Sequence, residues 1–144
     1  MQTVKHLLEK KSADVVAVKP DDSVLHAIGV MADRHVGALL VMRDKELLGV
    51  LSERDYARKV ILKGRSSHDT RVAEIMSSPV ISVGLTDTVH RCMQIMTDKR
   101  IRHLPVIEGD RVLGIISVGD VVKAVISEQT FVISQLEHYI TGTH

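Results

Sequence analysis

Two stretches of this 144-residue chain carry the residues best placed to do chemistry. They are Gly49-Val50-Leu51-Ser52-Glu53-Arg54-Asp55 and Gly114-Ile115-Ile116-Ser117-Val118-Gly119-Asp120. Each ends an apolar run on Ser-x-x-Asp. A serine and an acid three apart at a helix start form a capping box, in which both side chains satisfy backbone N–H groups that lack partners. The same corner suits a ligand. A helix N-terminus attracts phosphate, and a carboxylate beside it can accept both hydroxyls of a ribose. For one isolated copy, capping is the simpler account. Recurrence of the same Gly, Ser and Asp in one setting points to a bound group as well.

Other reactive residues support little. Cys92 is the only cysteine, so an internal disulfide or a cysteine-based zinc site is excluded, and its place on an apolar stripe reads as inert packing. The histidines at 6, 26, 35, 68, 90, 103, 138 and 144 include no His-x-x-x-His or His-Glu-x-x-His pair, so no metal site is expected. No Walker motif, GxGxxG or acidic cluster is present. Catalysis on a nucleotide would need a positioned base or a metal held by clustered carboxylates.

The elements that must position the two motifs come from a duplication. Sliding residues 80–127 onto 15–62, an offset of 65 without gaps, gives 14 identities in 48 pairs. Val18/Val83, Asp22/Asp87, Met31/Met96, Leu39/Leu104, Gly49/Gly114, Ser52/Ser117 and Asp55/Asp120 are among them. Each copy reads β-α-β-β-α. A short strand (Val15–Val18 or Val80–Val83) leads to helix-capping pairs, Asp22-Ser23 and Asp87-Thr88. The helices carry Val24, Ala27, Ile28 and Met31 or Val89, Cys92, Met93 and Met96 at helical spacing. A hairpin follows (Ala38–Met42 with Leu47–Leu51; Leu104–Ile107 with Val112–Ile116), and the motif serines open a last helix. Val72-Ala73-Glu74-Ile75-Met76 and Val4-Lys5-His6-Leu7-Leu8 read as matching short helices. Residues 127–140 read as a helical extension that packs on the body or on a partner chain.

A unit of about 60 residues is marginal alone. The fold expected is therefore α+β, with repeat 1 in residues 1–71 and repeat 2 in 72–144, packed sheet to sheet around a pseudo-two-fold axis. Such packing leaves two clefts at the seam, where ligands tend to sit. The intervening Lys63–Arg71 is either a solvated linker or a flap that faces phosphate.

Composition narrows the ligand class. The chain is 44% apolar but only 2% aromatic, with one Phe, two Tyr and no Trp. Base-stacking nucleic-acid folds need exposed rings that it lacks. A net charge of +1 gives no footprint for nucleic acid or an anionic membrane. No run approaches a membrane span, and the start of the chain lacks a signal-peptide apolar region, so a soluble cytoplasmic protein is expected.

The duplicated β-α-β-β-α unit, Gly-x-x-Ser-x-x-Asp after its last strand, and Arg102-His103-Leu104-Pro105-Val106 together resemble a pair of CBS (cystathionine β-synthase) domains. Stand-alone pairs are the nearest likeness, on Ser52–Lys59, Gly64–Ser67 and Met96–His103. The resemblance implies a Bateman module, a non-catalytic sensor that binds AMP, ADP, ATP, NAD(H) or S-adenosylmethionine without a metal. It also implies a homodimer and output to an unidentified protein partner in trans. In one cleft Asp55 and Ser52 would hold ribose, Ile81 and Ile101 would face adenine, and Arg102 and His103 would reach phosphate. In the other, Asp120 and Ser117 would act with Val16, Val36 and Gly37. There Gly37-Ala38 replaces the Arg-His pair, so phosphate donors would be borrowed from Arg54, Arg58, Lys63 or Arg65. Two rivals stand beside the sensor: a nucleotide hydrolase, and a structural dimer with vestigial clefts.

Overall fold

The computed structural model describes residues 2–11 and 15–141; His144, one of the eight histidines above, lies outside them. The two hairpins are superimposable in register. β2 (Ala38–Arg43) pairs with β3 (Glu46–Ser52), and β4 (His103–Glu108) pairs with β5 (Arg111–Ser117). Ala38 faces Ser52 and His103 faces Ser117, each pair one offset of 65 apart, and a bulge falls at Val41/Met42 and again at Val106/Ile107. The two-residue loops start on Asp44 and Gly109, both at positive φ, the backbone that a tight hairpin turn demands.

α2 (Val24–Arg34) and α5 (Val89–Lys99) cover the hairpins. Ser23 accepts the N–H of His26 at 3.1 Å and Thr88 that of Arg91 at 3.0 Å, so these are the caps. Asp22 and Asp87 instead close the preceding turns, on the N–H groups of Lys19 and Gly84. Val24, Ala27 and Met31 on one helix, and Val89, Cys92 and Met96 on the other, are buried.

The strand ahead of each first helix is shorter than its β-branched residues suggest. β1 is Ala17–Val18, parallel to β2, and its counterpart shrinks to one bridge, Val83 to Val106. The reason is Pro105: Leu40 donates its N–H to Val16 O at 3.2 Å, but Pro105, its counterpart, has no N–H to give Ile81. Ser77 separately exchanges hydrogen bonds with Val50 at 2.8 and 3.1 Å.

Two short helices change sides. α1 (Val4–Glu9) precedes the first repeat but docks on the second, where the N–H groups of Val4 and Lys5 donate to Asp87 and Leu85. α4 (Val72–Ile75) precedes the second repeat and docks on the first, with Val72 and Ala73 donating to Asp22 and Pro20. Each hydrophobic core therefore includes a helix from the other side of the linker. One joins Val4, Leu7, Val89, Leu104 and Ile116; the other joins Val24, Leu39, Leu51, Val72 and Ile75.

Ala38, Leu40 and Pro105, on the strand faces that turn away from these cores, are also buried. Gly37 and His103 meet at the strand entrances. A Cβ on Gly37 would lie 3.5 Å from His103 Nε2, so the two repeats join there.

The last helices diverge. α3 (Glu53–Tyr56) passes into a π-helical turn, Ala57–Ile61, and ends. α6 runs from Val118 to Thr141 and buries only Val121 and Ala124. Beyond Glu128, which lies 4.0 Å from His90, the extension does not pack on the body. Phe131, Tyr139 and Ile140 are 65%, 77% and 80% exposed. A straight helix of this length outruns the small sheet it starts from.

Candidate functional site

The Asp55 corner is a capping box, and it also lines a cleft. Ser52 donates its N–H and its hydroxyl to Asp55 Oδ2, both at 3.0 Å, and Asp55 N–H returns a bond to Ser52 Oγ at 3.2 Å. Ser77 brings a second hydroxyl to the same carboxylate, 3.3 Å from Oδ1 and 3.4 Å from Oδ2. Lys59, one turn along, sits 3.1 Å from Oδ1 and donates to Ile75 O. Every one of these neighbours donates, so the carboxylate is aimed as an acceptor.

The cleft beside it spans about 750 Å³ with open solvent included. One wall is aliphatic: Val50, Pro79, Val80, Ile81 and Ile101. The lining is also cationic: Arg54, Arg58, Arg100 and Arg102, with His103; Arg54, Arg100 and Arg102 border a neighbouring pocket as well. Among the described residues, none of the four arginines has an ion-pair partner. Unpaired guanidinium groups that converge on one space suit a phosphate or carboxylate. Burial pushes the His103 imidazole below its ordinary range; Lys11 and Arg102 lower it further and Asp120 opposes them. His103 is therefore neutral at pH 7, a hydrogen-bonding group and not a fifth cation.

Asp120 has different company. Its Oδ2 accepts the Ser117 N–H at 2.8 Å, and Ser117 Oγ accepts the Asp120 N–H at 3.2 Å, which repeats the capping box. The third partner is Lys11, whose Nζ lies 2.7 Å from Oδ2 and 3.0 Å from Ile115 O. Burial raises the Asp120 carboxyl, but Lys11 and Ser117 outweigh it and hold it below the ordinary range.

Of the residues expected to gather, Ser52, Arg54, Asp55, Arg58, Ile81, Ile101, Arg102 and His103 do line one cleft. Arg54 and Arg58 therefore face the Asp55 cleft and not the Asp120 corner, for which they were expected to supply phosphate donors. They stand on the helix that Ser52 opens, and the first turn of that helix points into its own corner. Val16 and Val36 pack on the first core, and Gly37 lies against His103. Lys63 is exposed, and Arg65 pairs with Glu74 at 2.6 Å. The linker is pinned to the start of α2, where Ser67 and Thr70 accept the N–H groups of Leu25 and Val24. It is neither free nor closed over the cleft.

Val50, Ser77, Pro79, Val80 and Arg100 are cleft residues that sequence reasoning did not single out. Val80 could have been found, since it repeats Val15 in the duplication. Arg100 lies two residues before Arg102. Lys11 left no signal, because its placement depends on where α1 docks. Cys92 is buried, and burial pushes its thiol up to about 11, which leaves it unreactive.

Residues 4–62 and 72–127 each match the family model of the CBS domain. The chain is 45% identical over 127 residues to the CBS domain-containing protein CBSX3, mitochondrial, of Arabidopsis thaliana; the match covers 85% of this chain and 62% of CBSX3. A solved putative signal-transduction protein with CBS domains from Burkholderia ambifaria is 44% identical with a TM-score of 0.85, covering 89% of this chain and 96% of that one. The fold also matches the CBS domain pair of protein MJ0100, solved with 5′-methylthioadenosine and S-adenosyl-L-methionine, at 20% identity and a TM-score of 0.79; 89% of this chain and 98% of that one are covered.

Proposed function

Because this chain belongs to the CBS-domain family and carries two copies of the domain, we propose that it is a non-catalytic regulatory module that binds a phosphate-bearing adenosine nucleotide in the Asp55 cleft. The observation that carries this reading is the convergence of Arg54, Arg58, Arg100 and Arg102 on a cleft with an aliphatic wall and an acceptor corner. Asp55 and Ser52 take the ribose hydroxyls, Ile81 and Ile101 flank adenine, and the arginines hold phosphate. The fold neighbour binds adenosine compounds that lack phosphate, one of them a cation. Four arginines against one carboxylate reverse that preference, toward AMP, ATP or NAD(H).

A ligand that bridges Asp55 and Ser52 to Ile101 and Arg102 ties the two repeats together. It acts on any conformational or assembly equilibrium through its different affinity for the two states. The apolar residues that α6 exposes, from Val122 and Ile126 to Ile140, supply the surface for a homodimer or a protein partner in trans. No described helix is long and apolar enough to cross a membrane. We place the module in the cytoplasm, where a single buried cysteine is no liability.

Calorimetric titration with AMP, ATP, NADH, S-adenosylmethionine and 5′-methylthioadenosine tests the reading. It expects the phosphate-bearing ligands to bind and the other two to bind at least tenfold more weakly. No binding of any of them at millimolar concentration leaves a structural dimer with vestigial clefts. Turnover that Asp55→Ala abolishes makes the protein a hydrolase.

A further inference from the structure

The second Ser-x-x-Asp corner already has an occupant from outside its own repeat. Lys11 reaches Asp120 Oδ2 at 2.7 Å and the Ile115 carbonyl at 3.0 Å. It is delivered by a docked helix, not by a loose tail. Val4 and Leu7 of α1 are buried in the second core, and the side chain of Leu8 lies 3.5 Å from where a Gly114 Cβ would stand.

The pseudo-symmetry shows from which side the lysine enters. α1 docks on the second repeat as α4 docks on the first, through N–H groups given to matching carbonyls. In that register Val4 matches Val72, and Leu8 beside Gly114 matches Met76 beside Gly49, so Lys11 falls on Pro79. Pro79 lines the Asp55 cleft, and Lys11 donates to Ile115, the counterpart of Val50 in the same lining. Lys11 therefore approaches Asp120 along the cleft side. Lys59, the lysine of the other corner, is different. It comes from the helix of Asp55 itself and is absent from the cleft lining.

We propose that Lys11 is a resident occupant of the second corner, taking the hydrogen bonds of Asp120 that ligand hydroxyls would need, so that each chain binds one nucleotide, at Asp55. This rests on the nucleotide reading above. A ligand at Asp120 must displace Lys11 from the carboxylate, and must do so without the arginines of the first cleft. The duplication thus keeps two motifs and uses one. The N-terminal helix decides which.

The test is AMP titration by calorimetry with His103 followed by NMR. The expected stoichiometry is one AMP per chain for the unmodified protein and for Lys11→Arg, and two for Lys11→Met. The second equivalent should vanish in Lys11→Met/Asp120→Ala. Unchanged affinity of the first equivalent shows that the variants are folded. Without any ligand, Lys11→Met should also let His103 titrate at higher pH, since a cation that lowers it is gone and Asp120 is left unpaired. Two equivalents on the unmodified chain overturn the proposal, as does one equivalent on Lys11→Met; the nucleotide reading survives both. No AMP bound by any variant overturns the nucleotide reading and this inference with it, even where His103 moves.

Discussion

Asp55 and Asp120 occupy the same corner of the same supersecondary unit, yet they meet different chemistry. Both accept the N–H of the serine three residues back, at 3.0 and 2.8 Å. That much is local, set by four residues at a strand-to-helix junction. The difference arrives from elsewhere in the chain. Ser77 and the Pro79–Ile81 stretch open a cleft at Asp55, whereas Lys11 closes on Asp120. Downstream of the corners the helices diverge too. Lys59 stands one turn beyond Asp55, and its counterpart at the offset of 65 is Ala124, a core residue. A duplicated motif thus fixes a geometry, and the segment that docks beside it fixes the use.

The scaffold beneath the two corners is where they should be most alike, and core truncation gives the largest effects. Leu39 and Leu104 are counterparts, both fully buried. Leu39→Ala and Leu104→Ala should each cost about 2–5 kcal/mol in urea denaturation, and the two values should agree within about 1 kcal/mol. A wide gap would show that the repeats do not share one packing scheme. Ligand affinity should then separate what the cores do not. Asp55→Ala removes the acceptor of the open cleft and should weaken AMP about 100-fold, since hydrogen bonds to charged groups contribute about 1.5–3 kcal/mol. Asp120→Ala should stay within about twofold by calorimetry. Equal losses would dissolve the asymmetry.

Arg102 sharpens the same contrast at smaller scale. It stands where the first repeat has Gly37, so only one cleft gains its guanidinium. Arg102→Ala should weaken ATP about tenfold, the loss of one charge-assisted contact. It should change adenosine binding little, because adenosine offers that side chain no anion. An equal loss for both ligands would place Arg102 on the nucleoside and not on the phosphates.

What could be read from the residues follows from how local each feature is. The hairpins and the α2 and α5 caps depend on neighbours within a few positions, and Ser23, Thr88 and the paired strand registers fall where periodicity puts them. The Asp55 cleft was legible through Asp55, Ile81, Ile101 and Arg102 because the family resemblance supplied the long-range pairing. The Val80–Val83 strand shortens to one bridge for a local reason, because Pro105 has no N–H to give Ile81 where Leu40 gives one to Val16. Two other features depend on tertiary placement and were not legible. Arg54 and Arg58 turn to the near cleft because helix phase relative to the seam is not encoded in spacing. Lys11 reaches Asp120 only because α1 crosses to the other repeat.

The smallest effect concerns the ion pair itself, and its sign can be derived. The Asp120 carboxyl titrates lower in the folded protein than in the unfolded chain, chiefly through Lys11 and Ser117 acting against burial. Its contribution to stability is thus fully present above the unfolded carboxylate range and is lost as pH falls through the folded value. Lys11→Met removes the main opposing influence, so burial should then raise the same carboxyl. The variant should be less stable than the unmodified protein at pH 7 by about 0.2–1 kcal/mol, a modest figure because both side chains keep some solvent. The gap should narrow between about pH 5 and pH 3 as Asp120 takes up its proton and the pair ceases to matter. Urea midpoints at pH 7, 5 and 3.5 measure it. A gap that stays constant over this range would mean that Lys11 acts on stability through packing alone, and the contrast between the two corners would lose its electrostatic half.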